Sequence, residues 1–336
     1  MKSYFIKQYQ KAPAILGDMP EPVMNDDDVL VEVCAAGLNH LDLRIKSGEF
    51  KMLVPYSFPL ILGHDVAGKV VAVGKNVPQF AVGDEVFARP RDGRIGAFAE
   101  KIAIHQDDVA KKPSNLSMAD TAGLPLVALT AWQALVETAQ VKAGQKVFIH
   151  AGAGGVGVGV GNVAIQWAKY LGAFVGTTAS TANVDFVKSL GADLVIDYKK
   201  QNFTDVLKDY DVVLNSLDKK TLLNSLKVMQ KGGRLISISG PPTPAYAKKA
   251  GLNVFLQLAM YFLSRGVRYA SCRKKVDYQF LFMQANGKQL AQIARLVEQG
   301  HIKPYTQSVY PFEEINQAFD ELEQGRTRGK IVVSMR

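Results

Sequence analysis

The 336-residue chain is 48% hydrophobic and 21% charged, an ordinary globular composition long enough to bury two sizeable cores. Its two cysteines, Cys34 and Cys272, lack the paired spacing of a disulfide framework or zinc ribbon, and the N-terminus lacks the apolar stretch of a signal peptide, so a reducing, cytoplasmic location is expected. The formal net charge of +9 comes from scattered lysines and arginines, the densest run being Arg273-Lys-Lys275, so a solvated surface is expected rather than a nucleic-acid or membrane partner.

Residues 28–38 begin with strand-like alternation, and residues 63–88 hold Val-rich runs cut by glycine. Short strands with frequent turns predict a compact β-rich N-terminal domain. From residue 118 the pattern changes to helices over 118–139, interrupted at Pro125. Strands over 146–150, 173–178, 194–197, 212–215 and 234–239 then alternate with helices over 155–171, 182–190, 203–208 and 221–228. This βαβ alternation predicts a parallel, doubly wound sheet. Residues 251–264 are the most membrane-like, but the segment is too short to span a bilayer and carries Asn253 and Gln257, so a buried or interface helix is expected. Amphipathic helices are predicted over 288–299, with Leu290, Ile293, Ala294 and Leu296 on one face, and over 312–323. A final strand over 330–334 is expected to complete the N-terminal β domain.

The run Val147-Phe-Ile-His-Ala-Gly-Ala-Gly-Gly-Val-Gly157 carries the most chemistry. Gly152, Gly154 and Gly157 fit a G-x-G-x-x-G spacing after a strand and before a helix, at the head of the βαβ series. Such a loop lets main chain approach a pyrophosphate held on the free N–H groups of the following helix. A nicotinamide-dinucleotide cofactor is therefore expected. About 20 residues on, an NAD site places Asp or Glu on the ribose hydroxyls. Here the strand ends Val175-Gly-Thr-Thr-Ala-Ser180, and the next acid is Asp185 in the following helix. A carboxylate would repel a 2′-phosphate, whereas the hydroxyls of Thr177, Thr178 and Ser180 bond to one, so NADP(H) is favoured.

Further motifs extend along the chain: Gly63-His-Asp-Val-Ala-Gly68 with Val-Val-Ala-Val-Gly74 and Val82-Gly-Asp-Glu-Val86, Leu124-Pro-Leu-Val-Ala-Leu-Thr-Ala131, Leu190-Gly-Ala-Asp193, Lys231-Gly-Gly-Arg234 and Gly329-Lys-Ile-Val-Val333. With the glycine loop, and in this order, they resemble the medium-chain dehydrogenase/reductase superfamily. Within it the chain is most similar to the zinc-independent NADPH quinone oxidoreductase and alkenal/enone reductase branch. The resemblance implies an α/β fold in which a GroES-like β-rich catalytic domain, residues 1–124 and 267–336, flanks a Rossmann NADP(H)-binding domain, residues 125–266. It also implies a homodimer, which no spacing shows.

Zinc alcohol dehydrogenases of the superfamily hold a catalytic metal on Cys, His and Cys. In this chain those positions fall on Asn39, His64 and Leu126, and the four-cysteine structural-zinc lobe is missing between Phe87 and Ala97. Two of three catalytic ligands are therefore absent. His40, Asp42, His64 and Asp65 would be left to improvise a site, a poor donor set for zinc, and no metal is expected. His64 is read instead as a pocket or core histidine.

A bare nicotinamide suits an electrophilic acceptor. Hydride added to the β-carbon of a quinone, enone or alkenal leaves an enolate that hydrogen-bond donors stabilise. By resemblance, Asn39 lies near the nicotinamide ribose and Thr130 faces the nicotinamide end. Gly154, Gly155 and Val156 give N–H groups to the pyrophosphate, beside Gly152 and Gly157. Ser180 and Tyr198 contact the adenosine 2′-phosphate with Thr178, although Thr181 stands where some quinone reductases carry lysine. Ser216 and Ser239 end strands that line the cofactor crevice. Asn39, Tyr56 and His64 are the catalytic candidates, Tyr56 as a donor to a carbonyl oxygen. Phe280 and Phe282 are candidate walls of the nicotinamide site. Two other readings stay open: a zinc-type alcohol dehydrogenase, and an NADPH-binding redox sensor without turnover.

Overall fold

A computed structural model describes residues 1–154, 159–325 and 327–335. The chain divides into two units, Met1–Leu129 with Gln284–Arg336, and Thr130–Met283.

The first unit opens with β1 (Lys2–Ile6), β2 (Ile15–Asp18), β3 (Asp28–Gly37), α1 (His40–Lys46), β4 (Leu60–Ile61), β5 (Asp65–Val73), β6 (Glu85–Ala88), β7 (Lys101–His105), β8 (Val109–Lys111) and α2 (Met118–Ala122). Helix α3 (Pro125–Trp132) follows. The second unit holds β9 (Lys146–Ile149), α4 (Val160–Tyr170), β10 (Phe174–Ala179), α5 (Val184–Ser189), β11 (Leu194–Asp197), α6 (Phe203–Val206) and β12 (Tyr210–Asn215). It continues through α7 (Lys219–Ser225), β13 (Met229–Ser237), α8 (Pro244–Lys249), α9 (Val254–Lys274) and β14 (Asp277–Phe280). The chain then returns to the first unit with α10 (Gly287–Glu298), β15 (Thr306–Pro311), α11 (Ile315–Glu323) and β16 (Lys330–Ser334).

In the first unit the main sheet runs β15-β16-β3-β5-β6-β8, with β7 also on β3. β3 is its organising strand: Val29, Val31, Val33 and Ala35 alternate into the core, as a period of two requires. β16 pairs antiparallel with β3, Val332 opposite Gly37, and β5 pairs on the other side, Asp65 opposite Gly37. The start of β16, the end of β3 and the start of β5 therefore meet at one point, although they are far apart in sequence.

In the second unit β11-β10-β9-β12-β13-β14 form a parallel sheet. Its order reverses beside β9, so the strand ends of β9, β10 and β12 frame the crevice where such folds take ligands. The core includes Phe148, Ile196, Val213, Leu222 and Leu235, and also Val267, Val276 and Tyr278.

Two expectations need correction. The domain boundary placed at 267 falls inside α9, and the unit extends to Met283 because β14 pairs in register with β13 and Tyr278 fills the unit's core. Phe280 and Phe282 were the candidate walls of the nicotinamide site. Phe280 packs edge-on against Tyr246 at 5.0 Å, with Phe282 at 6.4 Å from the same ring. Of the buried or interface helix expected over 251–264, the buried alternative fails. Its apolar residues begin α9, and Phe255, Leu258 and Phe262 stand exposed to solvent. The helix turns Met260, Ser264, Val267 and Ser271 inward instead, a stripe at the spacing of one helical face. No helix among the described residues is long and apolar enough to cross a membrane.

Candidate active site

Asn39 caps the entry to α1 in extended backbone. Asp42, one turn into the helix, accepts the Asn39 N–H at 2.8 Å through Oδ2, and its Oδ1 lies 2.5 Å from His64 Nδ1. Asp42 and His64 are both fully buried. The carboxylate thus holds the imidazole through Nδ1 and leaves Nε2 buried and without a hydrogen-bond partner among the described residues.

Asn39 also joins a second cluster. Its Nδ2 donates to Asp65 Oδ2 at 3.0 Å, and Lys330 Nζ donates to Asn39 Oδ1 at 2.6 Å and to Asp65 Oδ2 at 3.0 Å. The other Asp65 oxygen accepts the Leu126 N–H at 2.7 Å, which ties the first turn of α3 to β5. A carboxylate is favoured there by the free N–H groups of a helix start. Lys330 was missed as a site residue. Its only sequence signal was its place in the terminal Gly329-Lys-Ile-Val-Val333 motif, because the register of β16 against β3 is what brings it opposite Asn39. Asn39, expected near the cofactor ribose, has its amide engaged inside the protein on both Oδ1 and Nδ2. Among the described residues no group of three His, Cys, Asp or Glu is arranged to hold a metal ion.

His40 begins α1, its Nδ1 buried and unpartnered among the described residues. Burial, and then the Lys330 charge, hold its pKa below the ordinary histidine range, so its ring is neutral. Tyr56 lies in the loop before β4, with its N–H donating to Tyr9 Oη at 3.2 Å. Its hydroxyl is buried beside the Gly93 main chain, and burial, reinforced by Asp92, pushes its pKa up. It therefore stays protonated, the form in which it donates.

In the second unit the glycine loop folds back on β10. Ala151 N–H donates to Thr178 Oγ1 at 2.9 Å and Gly152 N–H to Thr178 O at 3.0 Å, so the Thr178 hydroxyl braces the loop. Thr177, fully buried, donates to Ile149 O at 2.7 Å and is structural. A Cβ on Gly152 would run into the Thr177 side chain. Gly154 donates to Ala151 O at 3.2 Å. Gly155, Val156 and Gly157 lie outside the described residues. Helix α4 begins at Val160, later than predicted, after Gly159 in the left-handed region at φ 88°. A Cβ on Gly161 would collide with the Ala151 carbonyl and reach 2.9 Å from Gly152 Cα. Gly161 is thus the glycine that lets α4 press against the loop, and it lies outside the G-x-G-x-x-G spacing.

Ser180 and Tyr198 follow neighbouring strand ends: β10 and β11 are parallel neighbours, and Tyr198 N–H donates to Ala179 O at 3.1 Å. Tyr198 is exposed and Ser180 half-buried. Asp197, beside them, accepts from Thr181 Oγ1 at 2.7 Å; that bond chiefly lowers its pKa, and Lys200 lies 3.7 Å away. The acid also accepts the Lys199 N–H at 3.0 Å, so it is already matched by protein donors. Ser216 is buried just past β12. Ser239 donates to Leu217 O at 2.6 Å, while Asn215 accepts from Ser237 Oγ at 3.1 Å and leaves its Nδ2 buried and unpartnered among the described residues. Asn215, not singled out from sequence, is the free donor at this strand end. Thr130 is buried in α3. His150, inside the loop motif, is a core residue: burial brings its pKa down to about 3, and its Nε2 pairs with Ser225 Oγ at 2.8 Å.

A glycine cradle that Cβ atoms would fill and an orphaned buried amide at the crevice fit a dinucleotide. Two such units define a two-part oxidoreductase. The model of the alcohol dehydrogenase GroES-like domain matches residues 25–114, and that of the zinc-binding dehydrogenase matches residues 190–333. The chain is 34% identical over 322 residues to 2-methylene-furan-3-one reductase of Solanum lycopersicum, covering 93% of this chain and 73% of that one. It is 34% identical over 325 residues, with the same coverage, to the chloroplastic NADPH-dependent alkenal/one oxidoreductase of Arabidopsis thaliana. Among solved structures, the quinone oxidoreductase of Coxiella burnetii superposes with a TM-score of 0.85 at 30% identity, covering 100% of this chain and 99% of that one. The chain belongs to the medium-chain dehydrogenase/reductase superfamily, and it is an oxidoreductase of the quinone and enone branch.

Proposed function

We propose that this protein uses NADPH to reduce quinones or the C=C bond of α,β-unsaturated carbonyls, without a catalytic metal. The observation that carries the reading is the Lys330–Asp65–Asn39 cluster. Where the zinc enzymes of the superfamily need thiolates, this chain has a neutral amide and an apolar side chain, and the cation beside them is an ammonium. When bound, NADPH supplies the hydride.

The protein's residues do the rest. The Gly152–Gly154 turn and the start of α4 hold the pyrophosphate, and Asn215, Ser216 and Ser239 edge the crevice. Ser180 and Tyr198, helped by Lys199 and Lys200, take the 2′-phosphate. Thr178 acts by bracing the loop. In the first unit Asn39 is held rigid by Lys330 and Asp65. The Tyr56 hydroxyl donates to the carbonyl oxygen, where negative charge develops as the enolate forms. His64 Nε2, oriented by Asp42, accepts a hydrogen bond from the bound ligands. Water or Tyr56 then returns a proton to the α-carbon. The lack of a disulfide-framework spacing between Cys34 and Cys272 supports a reducing compartment such as the cytosol, and a homodimer is part of the proposal on the superfamily resemblance alone.

The test is NADPH and NADH oxidation against a panel of quinones, alkenals, cyclic enones and simple ketones, with metal analysis of the same sample. Turnover of quinones or enones with NADPH, and little with ketones, is expected. Stoichiometric zinc whose removal abolishes turnover would overturn the metal-free reading. Tight NADPH binding with no turnover on any acceptor would favour a redox sensor.

A further inference from the structure

Helix α9 is 21 residues long and carries two opposed faces. Met260, Ser264, Val267 and Ser271 face inward. On the opposite side Phe255 is 85% exposed, Leu258 54% and Phe262 61%, flanked by Val254 at 75% and Leu263 at 61%. Contiguous large apolar side chains at such exposure are uncommon on a protein that meets only water.

The charge along this stretch of the chain has one sign. From Lys219 to Val276 the sequence contains no Asp or Glu. Lys248 and Lys249 end the adjoining helix α8, and Arg265, Arg268, Arg273 and Lys274 continue α9 past its apolar half. Arg268 lies over the Tyr261 ring at 4.4 Å and Arg273 over Tyr269 at 5.9 Å, so the aromatic and cationic groups share the surface.

We propose that α9 docks on an anionic membrane surface, lying in its plane with Phe255, Leu258 and Phe262 among the acyl chains and the flanking lysines and arginines at the headgroups. An amphipathic helix with aromatic and leucine residues outward and basic residues beside them binds by this combination. A second copy fits less well, because pairing the same faces would bring the lysines and arginines of both α9 helices together. Nucleic acid matches the charge but not the apolar side chains. The helix is anchored through its inner face, so it lies on the membrane without entering the core of the bilayer.

The test is co-sedimentation of the whole protein with vesicles of phosphatidylcholine alone or mixed in equal parts with phosphatidylserine. The native chain is expected to pellet with the mixed vesicles and much less with the neutral ones. Phe255→Ser with Phe262→Ser should lower that partitioning by about tenfold or more while NADPH oxidation is retained. Arg265→Glu with Arg273→Glu should do the same, and raised salt should weaken the native chain's binding. The proposal fails if the native chain stays in the supernatant with the mixed vesicles, or if both double variants pellet as well as it does. It also fails if the phenylalanine pair instead controls self-association in sedimentation velocity without any vesicle binding, or if the basic residues retain duplex DNA but not lipid.

Discussion

At the start of β16 the Lys330 side chain is 3% exposed and lies 3.0 Å from an Asp65 carboxylate that is fully buried. Neither charge has water to fall back on, so removing the ammonium leaves an uncompensated carboxylate, at a cost of about 3–5 kcal/mol. Lys330→Met is therefore expected to lower the urea unfolding midpoint of the first unit clearly. Lys330→Met with Asp65→Asn should recover most of that loss, since the amide still accepts from Leu126. A midpoint unmoved by Lys330→Met alone would show that Asp65 is not held as a buried anion. At the other end of the chemistry, Ser180→Ala with Tyr198→Phe removes two hydroxyls proposed for the 2′-phosphate. Hydrogen bonds to a charged group are worth about 1.5–3 kcal/mol, so the KM for NADPH should rise roughly tenfold or more and that for NADH much less. Equal effects on the two cofactors would remove both residues from a phosphate site. Neither hydroxyl stands alone, because Asp197 and its partners Thr181 and Lys200 set the local charge. That balance could not be read from Thr181 replacing a lysine.

Among the elements, the glycine loop and α4 work as one piece. The residue that allows this is Gly161, which lies beyond the G-x-G-x-x-G spacing. Gly161→Val would press a branched side chain on the Ala151 carbonyl and the Gly152 main chain, and overpacking of this kind costs about 1–3 kcal/mol or displaces the loop. The expected outcome is a loss of NADPH affinity by fluorescence titration, about tenfold or more, with the far-ultraviolet circular dichroism nearly unchanged. Unchanged affinity would detach the α4–loop contact from cofactor binding. Helix α9 teaches the opposite lesson. Its apolar half suggested burial, since hydropathy averages over all faces, but only the periodic inner stripe finds partners. A helix whose outer face is apolar as well looks the same to a hydropathy window as a core helix.

Across the whole molecule, periodicity and punctuation carried most of the fold. The alternation of apolar strands with helices made the parallel sheet legible, and the strand-like tail over 330–334 was correctly joined to the N-terminal sheet. The boundary at 267 was misplaced, because β14 follows a 21-residue helix with no turn signal to mark that the sheet continues. The residue types at the chemical sites were likewise local facts. A glycine loop after a strand, hydroxyls in place of an acid at the end of β10, and Asn39 and Leu126 in place of thiolates are all written in the chain, since each depends on the identity of a residue within a short motif. What only the tertiary structure decided is how distant residues meet. Lys330 reaches Asn39 and Asp65 through the registers of β16 and β5 on β3. Asp42 Oδ1 holds His64 through Nδ1. Thr178 braces the loop instead of lying open, and Phe255 and Phe262 face outward. Each of these follows from strand register or helix packing across long sequence separations, where the same residue types would fit many pairings and only the packed fold selects one.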